Sequence, residues 1–238
     1  MKKIALGFAL AGAFATAASA QVTGHVDLYS SYVLRGLAVD AESDGPAVQW
    51  GLDYAHASGA YIGYWGSTLD YQVTVDNGES AQRSIENDIY AGYAGKAGEV
   101  GYDIGVTSYI YMPDAITPTM GFEPKLKVSA FGAYVQAQYN AKDVKYSNFG
   151  DTYLTTGYSY GFAGDVSLGA TLGWYIYGGK GKYLPEPEVS QAFRHLTISA
   201  SKKVAPNLVV GLDGIIGGKS AADTELGNAI VAHASVVF

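Results

Sequence analysis

Glu86 and Asp88 stand two residues apart, which puts both carboxylates on one face wherever the chain is a strand. A pair so placed can divide acid and base work between its members. It can also be plain polar lining, the commoner use of that spacing in a pore wall. Four histidines, at 25, 56, 195 and 233, raise metal binding and hydrolysis, yet no two lie at ligand spacing and no serine sits in a nucleophile elbow. Arg35, beside Gly36, offers a planar fork to an anionic solute or to a carboxylate of the chain itself. The run Asp40-Ala41-Glu42-Ser43-Asp44-Gly45 has the first half of a calcium loop, but Gly51 occupies the place of the closing bidentate acid. Gly217-Gly218-Lys219-Ser220 falls short of a phosphate-binding loop, because Asp213 stands where the first glycine is required. These residues predict no catalytic centre, no cofactor and no metal site, and hence not an enzyme.

Of 238 residues, 48% are hydrophobic and 16% charged, with 31 Gly, 20 Tyr and no Cys. Residues 1–20 read as a cleaved signal peptide: Lys2 and Lys3, an apolar run from Ile4 to Ala15, and the small-x-small site Ala18-Ser19-Ala20. Residues 21–238 then form a single predicted domain. Without cysteine there is neither a disulfide framework nor a lipid-acceptor thiol at the cleavage site. The formal net charge of −7 excludes nucleic acid as a partner and docking on an anionic membrane surface by charge alone. Past the leader no apolar run reaches the roughly 18 residues a spanning helix needs.

Apolar and polar residues instead alternate with period two, the pattern of a strand with two different faces. Val22, Gly24, Val26, Leu28, Tyr32 and Leu34 fall on one side, with Thr23, His25, Asp27, Tyr29, Ser31 and Arg35 on the other. Val48, Trp50, Leu52 and Tyr54 oppose Gln49, Gly51 and Asp53, and Ile85, Ile89, Ala91 and Tyr93 oppose Glu86, Asp88, Tyr90 and Gly92. The same scheme continues to the last strand, where Ile230, Ala232, Ala234, Val236 and Phe238 oppose Val231, His233, Ser235 and Val237. Around Tyr61 to Tyr71 and Tyr153 to Tyr160 aromatics occur at both phases, so the facing stays open there.

Connections alternate between short ones, such as Ala57-Ser58-Gly59 and Phe131-Gly132-Ala133, and long ones, such as Gly36 to Gly45, Met112 to Glu123 and Gly178 to Ala192. An even count of about twelve strands, each short turn after an even-numbered strand, predicts an all-β, antiparallel transmembrane barrel with short periplasmic turns and long extracellular loops. Closure is required because lipid cannot hydrogen-bond an open sheet edge. Tyr32, Tyr139 and Trp174 would then ring the outer interface, and Tyr54, Tyr93, Tyr102 and Phe162 the periplasmic one.

In this phase the lumen is lined by His25, Asp27, Arg35, Gln49, Asp53, Glu86, Asp88, Asp103, Lys125, Lys127, Gln136, Gln138, His195, Asp213 and His233. Carboxylates outnumber bases, which predicts a preference for cations. The opposing expectation is a narrow barrel whose charges pair with one another and fill it.

Five motifs in order resemble the TorF-type porins of proteobacteria, a conserved outer-membrane family of undefined role. They are Tyr29 to Gly36, Pro46-Ala47-Val48-Gln49, Tyr61-Ile62-Gly63-Tyr64-Trp65, Glu86 to Tyr93 and Gly101 to Gly105. The likeness covers the N-terminal half by sequence and the C-terminal half by spacing only. It departs at Ala38-Val39, where many relatives carry glutamine and a small hydroxyl residue. The resemblance implies an outer-membrane channel and brings no catalytic or binding residues with it. The terminal Phe238 likewise resembles the signal by which barrel-assembly machinery recognises outer-membrane proteins.

The expectation is an outer-membrane channel for passive or selective diffusion of small hydrophilic solutes, with outer-membrane lipid around it. Its rivals are a non-conducting structural or adhesive barrel, an outer-membrane hydrolase, and a soluble lipocalin-like barrel with the two faces reversed.

Overall fold

The computed structural model describes residues 20–38, 45–73, 82–112 and 120–238, the side chains at 70–73 and 82–83 left aside. The leader before residue 20 and most of the calcium-like run lie outside the described residues. The strands are β1 (Gln21–Tyr29), β2 (Ala47–Ala55), β3 (Ala60–Val73), β4 (Gln82–Ala97), β5 (Val100–Met112) and β6 (Gly121–Ala130). They continue as β7 (Ala133–Tyr139), β8 (Thr152–Phe162), β9 (Val166–Ile176), β10 (Gln191–Ala205), β11 (Leu208–Gly217) and β12 (Ala229–Val237). Each pairs antiparallel with its sequence neighbours, and β12 returns to β1, so the sheet is a closed barrel.

The seam is held from His25↔Val237 to Tyr29↔His233, and beyond the strand Gly24 and Phe238 exchange backbone hydrogen bonds of 2.8 and 2.9 Å. A Cβ on Gly24 would come within 2.6 Å of the Phe238 ring, so the terminal aromatic lies over a bare stretch of backbone and covers the seam. The tight turns sit at one end. Phe131 (φ 52) and Gly132 (φ 85) between Ala130 and Ala133 have the two positive φ values of a type I′ hairpin.

Alternation decides which face each side chain takes. Val26, Leu52, Leu168 and Val210 are 45, 54, 46 and 37% exposed on the outer wall, while Asp27 and Asp103 are 1 and 3% exposed inside. An apolar outside around a polar inside is the reverse of a lipocalin-like soluble barrel. The two undecided strands take one phase each. In β3, Tyr61, Ser67 and Leu69 are buried inside and Ile62 faces out; in β8, Tyr153 and Thr155 are buried inside, with Tyr158 and Tyr160 outside.

The first strand differs from expectation. The ladder ends at Tyr29, and Tyr32 and Leu34 do not continue its outer face. Tyr32 is 2% exposed, buried in a cluster with Ala47, Leu69 and Tyr111, against which Leu34 also packs. The physical reason lies at Ser30, whose backbone N–H donates to the Ala232 carbonyl (2.8 Å) while its hydroxyl accepts from the Ala232 N–H (2.9 Å). The side chain thereby takes over a ladder bond, and the backbone is released to turn inward.

Candidate functional site

Residues 30–38 form a small hairpin folded into the long-loop half of the lumen. Leu34 and Leu37 exchange backbone hydrogen bonds (3.0 and 2.9 Å) around Arg35 (φ 49) and Gly36 (φ 75). Only glycine suits position 36, since a Cβ there would overlap the His195 imidazole on β10. Arginine in the left-handed region costs roughly 1 kcal/mol, so the tip persists because of what the guanidinium meets. It forms an ion pair with Glu123 of β6, donates to the Tyr175 hydroxyl of β9, and lies 4.9 Å from the Tyr153 ring centroid on β8. Arg194 Nε donates to the Arg35 carbonyl (3.2 Å). The hairpin leaves the wall at β1 and is fastened to the opposite wall at β6 and β8–β10. Tyr32, on its rising arm, donates to Glu86. Ala38 on its returning arm packs with Ile215 and Val231.

A cavity of about 450 Å³ adjoins the hairpin, with Arg35, Glu86, Asp88, Lys125, Lys127 and His195 among the groups that line it. Tyrosine hydroxyls donate to four of the inward acids. Glu86 also accepts from Tyr111 (3.0 Å), Asp103 from Tyr61 (2.6 Å), Asp53 from Tyr90 (2.5 Å) and Glu123 from Tyr109 (3.0 Å). The many tyrosines therefore serve two walls, whereas composition alone suggested interfacial rings. A buried carboxylate without such donors would carry a desolvation cost of several kcal/mol.

Of the fifteen residues assigned to the lumen, Arg35, Gln49, Glu86, Asp88, Lys125, Lys127, Gln136, Gln138 and His195 line this cavity, and only some of the set meet. Asp103 pairs with Lys125 at 2.9 Å, His25 Nδ1 with Asp27 at 2.7 Å, and Gln136 donates to Gln138 at 2.8 Å. Lys127 lies 4.6 Å from the Tyr134 ring centroid, and His195 bonds the Tyr153 hydroxyl at 2.6 Å. His233 stacks on Tyr29 at 5.2 Å and sits only loosely beside Asp213, at 3.8 Å. Gln49 is buried on β2, and one oxygen of Asp88 has no hydrogen-bond partner. His25 needs the space left by Gly51, its partner across β1 and β2. Each lumen histidine stays on its own part of the wall, and among the described residues no three His, Asp or Glu side chains could hold a metal. His56 is in the exposed β2–β3 turn with Ser58.

The family described as a bacterial protein of unknown function (Gcw_chp) matches residues 13–214. The chain belongs to it. No curated protein matches the sequence. This Gcw_chp barrel is similar in structure to the KdgM porin, with a TM-score of 0.54 at 15% identity over 91% of this chain and 99% of that one. KdgM in complex with disordered oligogalacturonate gives 0.53 at 12% identity, over 91 and 97% of the two chains. An outer-membrane channel from Pseudomonas putida F1 gives 0.52 at 10%, over 92 and 95%. At these identities the likeness is one of fold, a barrel of the outer-membrane porin kind. The narrower TorF-type resemblance rests on the five sequence motifs alone.

Two lumen groups of this Gcw_chp chain escaped the sequence reading. By sequence Glu123 closes the long connection from Met112, yet β6 starts at Gly121 and turns it inward, 2% exposed. Its alternation with Lys125 and Lys127 was the available signal. Arg194 carried none, because a bulge between Phe193 and His195 shifts the β9–β10 register there. A bulge breaks the simple in-and-out count.

Proposed function

We propose that this chain is an outer-membrane porin-like channel that passes small hydrophilic solutes through a polar lumen narrowed by the hairpin 30–38. The observation that carries the reading is the inner wall: charged and hydroxyl side chains surround an adjoining cavity of about 450 Å³ while apolar ones face outward. A protein that only anchored its loops in lipid would not need buried charge in its interior, because buried charge costs stability unless it is paired.

Among the described residues, seven inward carboxylates, Asp27, Asp53, Glu86, Asp88, Asp103, Glu123 and Asp213, face four permanent cations, Arg35, Lys125, Lys127 and Arg194, which supports cation preference. Export by a leader cleaved after Ala20 and assembly through the strand ending at Phe238 complete the proposal. Mass spectrometry of the mature chain tests the first, and deletion of Phe238 followed by outer-membrane fractionation tests the second. The decisive experiment is bilayer recording of refolded protein across a KCl gradient. The expected result is discrete conductance with a cation-directed reversal potential, and an anion-directed one overturns the selectivity.

The inserted hairpin favours a second reading, a non-conducting barrel whose outer loops contact a partner. Silence of both the wild type and a hairpin-loosened Arg35→Ala protein would select that reading over the channel.

A further inference from the structure

Most of the inward acids are answered from within the chain. Asp27 has His25 and Ser235, Glu86 has Tyr32 and Tyr111, Asp103 has Lys125 and Tyr61, and Glu123 has Arg35. Asp88 on β4 is different. It is 8% exposed, and among the described residues it has neither an ion pair nor a hydrogen bond. Its Oδ1 is fully enclosed, so the carboxylate meets the cavity of about 450 Å³, whose lining it joins, through its other oxygen. A carboxylate so deeply buried without a donor is costly, and draws a proton or a cation from outside the chain.

The groups beside it in the sheet do not supply one. Trp65 on β3 and Tyr109 on β5 are its register partners, and Tyr90 shares its face two residues along β4. The Tyr109 hydroxyl donates to Glu123 (3.0 Å) and that of Tyr90 to Asp53 (2.5 Å). Arg35, which lines the same cavity, is committed to Glu123 and Tyr175. Trp65, Tyr90 and Tyr109 all belong to the cavity lining. An unpaired negative charge thus faces the lumen among three aromatic side chains whose hydroxyls point to other acids.

These surroundings select the kind of cation. A divalent metal takes several oxygen ligands at once, and no three acids or histidines of the described residues could hold one. An organic ammonium instead brings its own N–H donors, for which one open carboxylate oxygen is enough, and its charged head and hydrocarbon are at home beside aromatic rings. We propose that Asp88 is the binding residue for a small organic monoammonium solute in the lumen, the ammonium donating to the carboxylate and the hydrocarbon lying among Trp65, Tyr90 and Tyr109. The cavity has the volume of a small-molecule site, roughly 300 Å³ and up. The proposal deepens the channel reading and rests on it for its purpose, while its chemistry stands on Asp88 alone.

The test is ligand-observed NMR titration of the full-length barrel in phosphatidylcholine nanodiscs, blanked against empty discs, with propylammonium and its neutral counterpart propanol; it needs no conductance. Propylammonium is expected to bind saturably and to outbind propanol by roughly tenfold, the worth of one charge-assisted hydrogen bond. Asp88→Asn is expected to abolish that advantage, and Asp27→Asn, whose carboxylate is already taken by His25 and Ser235, to keep it. Urea unfolding gives a second readout. Propylammonium should raise the midpoint of the wild type and not that of Asp88→Asn, and Asp88→Asn alone should be no less stable than the wild type, because it removes an unpaired charge. Equal binding of propylammonium and propanol to the wild type, an undiminished advantage in Asp88→Asn, or a lowered midpoint in that variant overturns the assignment. A silent bilayer with intact propylammonium binding would reject the channel and keep the site, and a cation-selective bilayer without that binding would do the reverse.

Discussion

The two arcs of the lumen wall carry different chemistry. From β11 through β12 and β1 to β5 the inward face holds Asp213, Asp27, Asp53, Glu86, Asp88 and Asp103, with hydroxyl donors from Tyr32, Tyr61, Tyr90 and Tyr111. From β6 to β10 it holds Lys125, Lys127 and Arg194 and receives the tip of the hairpin with Arg35, and Tyr134, Tyr153 and Tyr175 lie under these cations. Glu123 sits at the boundary and is claimed by Arg35. One tyrosine thus plays two parts: by its hydroxyl it satisfies an anion, and by its ring face it receives a cation. Tyr61, where the arcs meet, does both, donating to Asp103 while Lys125 Nζ lies 5.5 Å from its ring centroid, and the opposed arcs set up a field across the lumen as well as a net charge along it.

The strongest way to break this contrast is to cut the ion pair that the hairpin makes. Arg35→Ala leaves Glu123 buried without its cation, and removal of one partner of a buried pair costs about 3 kcal/mol or more. Urea unfolding in lipid vesicles is expected to show that loss and bilayer recording a larger conductance; Arg35→Ala with Glu123→Gln should recover part of the stability. An unchanged midpoint in the single variant would mean that the hairpin is not fastened across the lumen. Next in size is Gly51→Ala, which forces a methyl into the His25 ring on the acidic arc. Overpacking of that kind costs about 1–3 kcal/mol, and full stability in the same assay would show that the histidine moves freely.

Neutralising one arc at a time sharpens the comparison. Asp53→Asn with Asp88→Asn is expected to lower the cation-to-anion permeability ratio, and Lys125→Met with Lys127→Met to raise it, both read from reversal potentials in a salt gradient. Shifts of the same sign in the two double variants would show that the arcs do not act separately. The smallest effect is expected outside the lumen. Lys219 and Asp223 form an exposed pair at 2.7 Å on the β11–β12 loop, and the acceptor holds the lysine ammonium above its ordinary pKa. Solvent screens such pairs, so Lys219→Ala should leave both midpoint and conductance unchanged; a clear change in either would place that loop in contact with the pore.

Much of the barrel was legible in the chain because a strand in lipid has no freedom of phase: one face must be apolar and the other must not. Val26 beside Asp27 and Leu52 beside Asp53 declare their faces by that rule alone. Tyr61 and Tyr153 did not, since tyrosine is at home on either wall, and their burial inside is decided by partners, Asp103 for one and His195 for the other. Tyr32 misled for a related reason. It keeps the outer phase of β1 in sequence, yet by then the chain has left the ladder at Ser30.

The amino-acid sequence by itself determined strand number, the inner and outer faces of the strands other than β3 and β8, and the surplus of acid within, because each follows from neighbours one or two residues apart. Only closure of the sheet decided that the acids and the cations gather on opposite arcs. Only the inward turn of residues 30–38 decided that Arg35 reaches Glu123, 88 positions away in the chain. Contacts of that separation depend on strand order and on a backbone that leaves its ladder, and neither is written in local alternation.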